Sequence, residues 1–116
     1  MTPIRLNAKR GNKFGAKKVR IDGHLFDSKA EAKHYGELKI LEMAGEISEI
    51  RVHPVFKIEI NGIAVCKVIL DFSYLDVNGR DVHVDVKGND TALSRLKRRM
   101  VEAAYSINVV LVRCRR

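Results

Sequence analysis

Leu70-Asp71-Phe72-Ser73-Tyr74 and Asp81-Val82-His83-Val84-Asp85-Val86-Lys87 are two alternating runs joined through Val77-Asn78-Gly79. Their register decides how the rest of the chain is read. Side chains paired across a sheet share a face, and a one-residue slip sends every side chain to the other face. A two-residue Asn-Gly turn would pair Val77 with Arg80 and set Asp71 against Val86, mixing charge into an apolar face. A three-residue loop with Gly79 in the left-handed position of a bulge pairs Asp76 with Arg80, and therefore Asp71 with Asp85. This second register sorts the residues. Leu70, Phe72 and Tyr74 join Val82, Val84 and Val86 on a core face, while Asp71, Ser73, His83, Asp85 and Lys87 share the other.

Like charges directly opposite each other destabilise a sheet, so a cation belongs between Asp71 and Asp85. Mg²⁺, or Mn²⁺ in its place, accepts one or two carboxylates and fills its other positions with water and phosphate oxygens. Lys87, two residues beyond Asp85, points to the same face, where its ammonium can polarise a phosphate. The plain alternative is a solvated sheet face with ordinary Asp–Lys ion pairs. Glu31 lies in a Ser28-x-x-Glu31 capping box but also extends the stripe of Tyr35 and Leu38 by one turn, which aims it at the sheet. His34 and His83 are secondary candidates for proton transfer.

Outward from this hairpin, Arg51 to Ile60 alternates and meets Ile63 to Tyr74 through Asn61-Gly62, a type I′ signal, with Pro54 marking an edge or bulge. Upstream, Asp27 and Ser28 cap a helix that runs to Ala44, with Tyr35, Leu38 and Leu41 on one stripe and Gly45 as its stop. Val19 to Phe26 carries Asp22-Gly23 and reads as a short hairpin. Downstream, Asn89 and Asp90 are candidate caps for a second helix reaching Tyr105, with Leu93, Leu96, Met100 and Ala103 or Ala104 as its buried stripe. Ile107 to Val112 reads as a strand covered on both sides, parallel to its neighbour because a helical crossover precedes it. The order is helix, three antiparallel strands, helix, strand: a mixed α/β (α+β) sheet with flanking helices.

The chain has 116 residues, enough for one domain with one modest core. Residues 1–20 hold Arg5, Lys9, Arg10, Lys13, Lys17, Lys18 and Arg20 with no acidic residue, and read as a basic arm ahead of a domain over 21–116. A net charge of +8 makes a polyanion the first partner to consider. The arm and the helical cations Arg95, Lys97 and Arg98 are the candidate nucleic-acid contacts. Cys66 and Cys114 lack CxxC spacing and read as reduced residues in strands, so a bound metal should be hard and held by oxygen. No membrane-length apolar run or secretory leader is evident, which leads to the expectation of a cytoplasmic protein. P-loop, HExxH and GxSxG motifs are absent.

Glu31, Leu70-Asp71 and Asp85-Val86-Lys87 in an αβββαβ order resemble the PD-(D/E)XK nuclease superfamily, with Leu70 where Pro often stands. Asp22-Gly23, Phe26-Asp27-Ser28-Lys29, Glu31-Ala32 and Asp85-Val86-Lys87-Gly88 are more narrowly similar to a small, mainly bacteriophage family. The pattern is also similar to phage endonuclease I enzymes, which cut Holliday junctions and carry Glu where this chain has Asp85. The resemblance implies a restriction-endonuclease-like core and a phage origin. It also implies catalytic Glu31, Asp71, Asp85 and Lys87, the three carboxylates as metal ligands, and metal-assisted hydrolysis of DNA by a homodimer. A nicking or restriction-like nuclease and a non-catalytic DNA- or RNA-binding protein are the competing readings. Only the enzymes among these require a metal.

Overall fold

The computed structural model describes residues 18–114. Lys9, Arg10, Lys13 and Lys17 of the expected arm lie outside the described residues, and the first strand begins at Val19, inside the stretch assigned to the arm. β1 (Val19–Ile21) and β2 (His24–Phe26) form the short hairpin, with Asp22 and Gly23 both at positive φ as a type I′ turn demands. α1 (Lys29–Met43) starts where the Ser28 hydroxyl accepts the Glu31 amide at 3.1 Å, and stops at Gly45, whose φ is +78°.

The two long strands expected next are each cut in two. Arg51 to Ile60 becomes β3 (Ser48–Val52) and β4 (Val55–Ile60), and Ile63 to Tyr74 becomes β5 (Ile63–Ile69) and β6 (Phe72–Leu75). The breaks face each other. His53 takes a positive φ of 56° and Pro54 has no amide to donate, so the first strand turns a corner. The second follows it through Leu70-Asp71, held by the His53 amide on the Asp71 carbonyl at 2.9 Å and the Leu70 amide on the Pro54 carbonyl at 3.0 Å. One bent hairpin thus supplies a two-stranded sheet, β4–β5, and two strands of the main sheet.

The main sheet has the order β3-β6-β7-β8, where β7 is Asp81–Lys87 and β8 is Val109–Arg113. β7 and β8 are parallel and the other pairs antiparallel, so the sheet is mixed as expected. The β6–β7 loop has the three-residue form: the Asp76 amide donates to the Arg80 carbonyl at 2.8 Å, and Gly79 has φ +77°. Phe72 pairs with Val84 and Ser73 with His83, a register that sets Asp71 opposite Asp85 when continued by one pair.

Two apolar clusters flank that register. Phe26, Ala32, Tyr35, Leu38, Ile47, Phe72 and Val84 are buried between α1 and the sheet. Ile58, Cys66, Val68, Leu70 and Val101 are buried between the β4–β5 sheet and the second helix, α2 (Ala92–Tyr105). The expected single core face therefore does not hold for Leu70, because the bend at Asp71 sends Leu70 and Phe72 into different clusters. Asp71 stands at the seam.

α2 differs most from the sequence reading. Thr91, not Asn89 or Asp90, accepts the capping bond, from Ser94 at 3.1 Å. Leu93 and Leu96, expected inside, are 43% and 54% exposed, and Ala103 and Ala104 are exposed too. Only Met100 of that stripe is half-buried, while Val101, Lys97 and Arg98 turn inward. The cause is the sheet face beneath the helix, where buried carboxylates need cations and so outweigh the helix's own apolar stripe. β8 is likewise an edge strand, with Val110 47% exposed, rather than a strand covered on both sides. Cys66 is buried and Cys114 half-buried just past β8, both as free thiols.

Candidate metal centre

Glu31 belongs to the first turn of α1 and is 7% exposed. Its carboxylate does not close the capping box but meets His53 Nε2 at 3.0 Å. Ligand atoms of Glu31, His53 and Asp71 all lie within 4.8 Å of one another. Asp85, on β7, is 4% exposed, so the face shared with Ser73 and His83 is not a solvated one: α2 and Phe56 cover it. Ser73 and Asp85 are therefore not solvated as the alternative of a solvated face expects, although its Asp85–Lys87 ion pair is present. Lys87 Nζ is 3.5 Å from Asp85 Oδ2, and Arg98 from α2 is 3.8 Å from the same oxygen.

Compensation is uneven across the carboxylates. Asp85 has two cations, and Glu31 has an imidazole. Asp71 makes no ion pair among the described residues and accepts only the Val86 amide, at 2.6 Å. Burial first, then the neighbouring charges of Glu31 and Asp85, push its carboxyl up to about 8, against an ordinary value of 3.8. A hydrogen bond with the Asp85 carboxyl, open only to the protonated form, acts in the same direction, and the Val86 amide opposes it. Asp71 is thus the group whose charge the described residues leave unbalanced. The convergent donor set is two carboxylates, Glu31 and Asp71, with the imidazole of His53, from separate elements; Glu31 is buried and the other two half-buried, and Asp85 stands outside this group as a neighbour of Asp71. Its carboxylate oxygens suit a hard divalent cation.

Of the four residues singled out for catalysis, Glu31 and Asp71 converge with His53, which the sequence reading missed, while Asp85 neighbours Asp71 and Lys87 reaches only Asp85. His34 and His83 fall elsewhere. His34 packs on the Phe72 ring at 5.6 Å and bonds Glu37. His83 sits edge-on to Phe56 at 5.7 Å, its Nδ1 buried without a partner among the described residues. The one local signal near His53 was Pro54 as a strand irregularity, which did not reveal the corner, because His53 takes a positive φ of 56° rather than the extended backbone usual before proline.

The candidate nucleic-acid contacts divide. Lys18, Arg20 and Arg95 are exposed, the last donating to the Asp90 carbonyl at 2.9 Å. Arg98 is engaged inside the fold, gripping Asp90 with two bonds of 2.8 Å, which holds the Asp90 carboxyl below its usual range. Lys97 is half-buried and faces the same region as Arg98. Its ammonium is pushed down by burial and by Lys87, against the pull of Asp85. No described helix is long and apolar enough to cross a membrane.

A family model described as "Protein of unknown function (DUF1064)" matches residues 11–116. No curated protein and no solved structure matches.

Proposed function

The chain belongs to the DUF1064 family, and from that premise and its own geometry we propose that it is a metal-dependent DNA endonuclease that hydrolyses phosphodiester bonds. The observation that carries this reading is Asp71, half-buried between the carboxylates of Glu31 and Asp85 and lacking a cation of its own among the described residues, with Lys87 paired to Asp85. Such a set is costly to fold unless it works.

Glu31, Asp71 and Asp85 would hold Mg²⁺ or Mn²⁺. Bound there, the ion supplies Lewis-acid polarisation of the scissile phosphate and a lowered pKa for the attacking water. His53 fixes the Glu31 carboxylate through Nε2, and the Val86 amide fixes Asp71. Lys87, 3.5 Å from Asp85 Oδ2, would offer its ammonium to a phosphate oxygen as negative charge builds there. Arg98 keeps α2 against the site by gripping Asp90 while facing Asp85. The reading extends to branched DNA as substrate and to a homodimer that presents two such sites.

The test incubates the protein with a labelled four-way junction and a matching linear duplex, in Mg²⁺ or EDTA, beside Asp85→Ala and Lys87→Ala. Mg²⁺-dependent cutting lost in both variants supports the nuclease, and faster cutting of the junction supports a resolving role. Tight binding with no cutting of either DNA replaces this reading with that of a binding protein.

A further inference from the structure

Three donors from separate places in the chain meet at the strand corner. Glu31 comes from the first turn of α1, His53 from the bend between β3 and β4, and Asp71 from the bend between β5 and β6. The two bends are tied to each other, because the His53 amide donates to the Asp71 carbonyl at 2.9 Å. The imidazole is held as well: its ring packs against the fully buried Phe26 at 5.9 Å, and its Nε2 stands 3.0 Å from Glu31 Oε1. Keeping His53 there takes a φ of 56°, which is costly for a residue other than glycine and persists only where the surroundings fix it. Asp85 stands apart from this group. Its charge is met by Lys87 at 3.5 Å and Arg98 at 3.8 Å, whereas Asp71 makes no ion pair among the described residues.

A hydrogen bond alone would account for the 3.0 Å between His53 and Glu31, but not for Asp71, which lies within the same 4.8 Å and takes no hydrogen bond from the imidazole. Neighbouring donors on an octahedral ion with bonds of about 2.1 Å stand about 3 Å apart, and opposite ones about 4.2 Å. Donors that all lie within 4.8 Å of one another therefore need little movement to share one ion. We propose that His53 is itself a ligand of that ion, joining Glu31 and Asp71 in a set of two carboxylates and one imidazole, and that its nitrogen makes the centre take a first-row transition ion in preference to Mg²⁺. Mg²⁺ is satisfied by oxygen and gives up its waters reluctantly, while an imidazole adds affinity for the transition ions. Mn²⁺ stands lowest in that series, which makes it the strictest probe. A neutral ring with its proton on Nδ1 leaves the Nε2 lone pair for the ion. The inference rests on the metal-dependent reading above, but its test requires no cleavage.

Pulsed electron paramagnetic resonance on the full chain loaded with Mn²⁺, with no DNA present, reads the ligand directly, because a coordinated nitrogen modulates the spin echo of the ion. The wild type is expected to show such a coupling, and the coupling should change when its histidines carry the heavy nitrogen isotope. His53→Gln, which keeps a hydrogen-bond donor for Glu31, should lose it, with thermal melting confirming that the variant folds. By titration calorimetry the same variant should lose severalfold more affinity for Mn²⁺ than for Mg²⁺. A role confined to positioning Glu31 predicts the contrary: no nitrogen coupling in the wild type, and equal losses for the two ions. Either result, or a coupling that survives in His53→Gln, overturns the proposal. Mn²⁺ bound through nitrogen with no cutting of any DNA keeps the ligand and removes the nuclease reading; Mn²⁺-dependent cutting with no coupling does the reverse. Binding of neither ion overturns both.

Discussion

The Val86 amide donates to Asp71 Oδ2 at 2.6 Å, fastening the carboxylate at a strand bend to the residue between Asp85 and Lys87. Val86 itself points to the α1 side and contributes to the core there, so its backbone is fixed by packing on one face while it positions a charge on the other. The Asp-Val-Lys triplet therefore works in all three positions: Asp85 and Lys87 face the site, and the apolar residue between them anchors the opposing Asp71.

Burial of Asp71 beside Glu31 and Asp85, against the opposing pull of the Val86 amide, sets a pH dependence. The Asp71 carboxyl titrates near 3.8 when unfolded and near 8 when folded, so between those values the folded state holds a proton that the unfolded state has released. Stability contributed by the protonated form is complete below about pH 4 and is lost as pH rises towards 8. In EDTA the melting temperature should fall between pH 5.5 and 8.5. Mg²⁺ should raise it more at pH 8.5 than at 5.5, because the ion must displace that proton at the lower pH. Asp71→Asn should melt higher than the wild type at pH 8.5 in EDTA and respond little to Mg²⁺; a wild-type-like Mg²⁺ response in this variant would remove Asp71 from the centre.

His53 offers a second test. Its Nε2 orients a Glu31 carboxylate that is almost wholly buried. Partners of metal-binding groups at this remove typically govern affinity by about 10- to 100-fold. His53→Ala should weaken Mn²⁺ binding, measured by titration calorimetry, by about tenfold or more. His53→Gln, which can restore a donor to Glu31, should recover part of it. Unchanged binding in His53→Ala would mean that Glu31 is positioned by α1 alone.

Arg98 and Lys33 should behave in opposite ways. Arg98 is spent on Asp90 and faces Asp85, whereas Lys33 is exposed on α1. Arg98→Gln should lower the melting temperature and leave the salt slope of DNA binding unchanged. Lys33→Gln should leave the melting temperature unchanged and reduce the slope. The reverse pattern would restore Arg98 as a phosphate contact.

How much of this was legible in the sequence depends on which interactions are local. The Asp22-Gly23 and Asn61-Gly62 turns, the Ser28 cap, the Gly45 stop and the bulge at Gly79 are all decided within a few residues, and the alternating pattern then fixed the register that sets Asp71 against Asp85. The corner at His53-Pro54 and Leu70-Asp71 was not legible, because it needs two strand breaks to coincide across a hairpin, and each alone reads as a strand irregularity. His53 was missed for the same reason. The face of α2 was misread because periodicity reports where apolar residues lie, not what waits beneath the helix. Here Asp85 and Asp90 require Arg98 on the inner side, which rotates Leu93 and Leu96 outward.

That rotation is itself testable. Leu96 is 54% exposed, and Val101, five residues on, is fully buried against Ile58, Cys66, Val68 and Leu70. An exposed leucine changed to a polar residue alters stability within about 0.5 kcal/mol, whereas emptying space in a packed core costs about 1–3 kcal/mol. Leu96→Gln should therefore unfold at nearly the wild-type urea midpoint, and Val101→Ala clearly below it, although sequence periodicity alone ranks Leu96 as the core residue. A large loss in Leu96→Gln that persists on dilution would return the leucine stripe to the interior; a loss confined to high protein concentration would instead mark the stripe as a contact between copies of the chain.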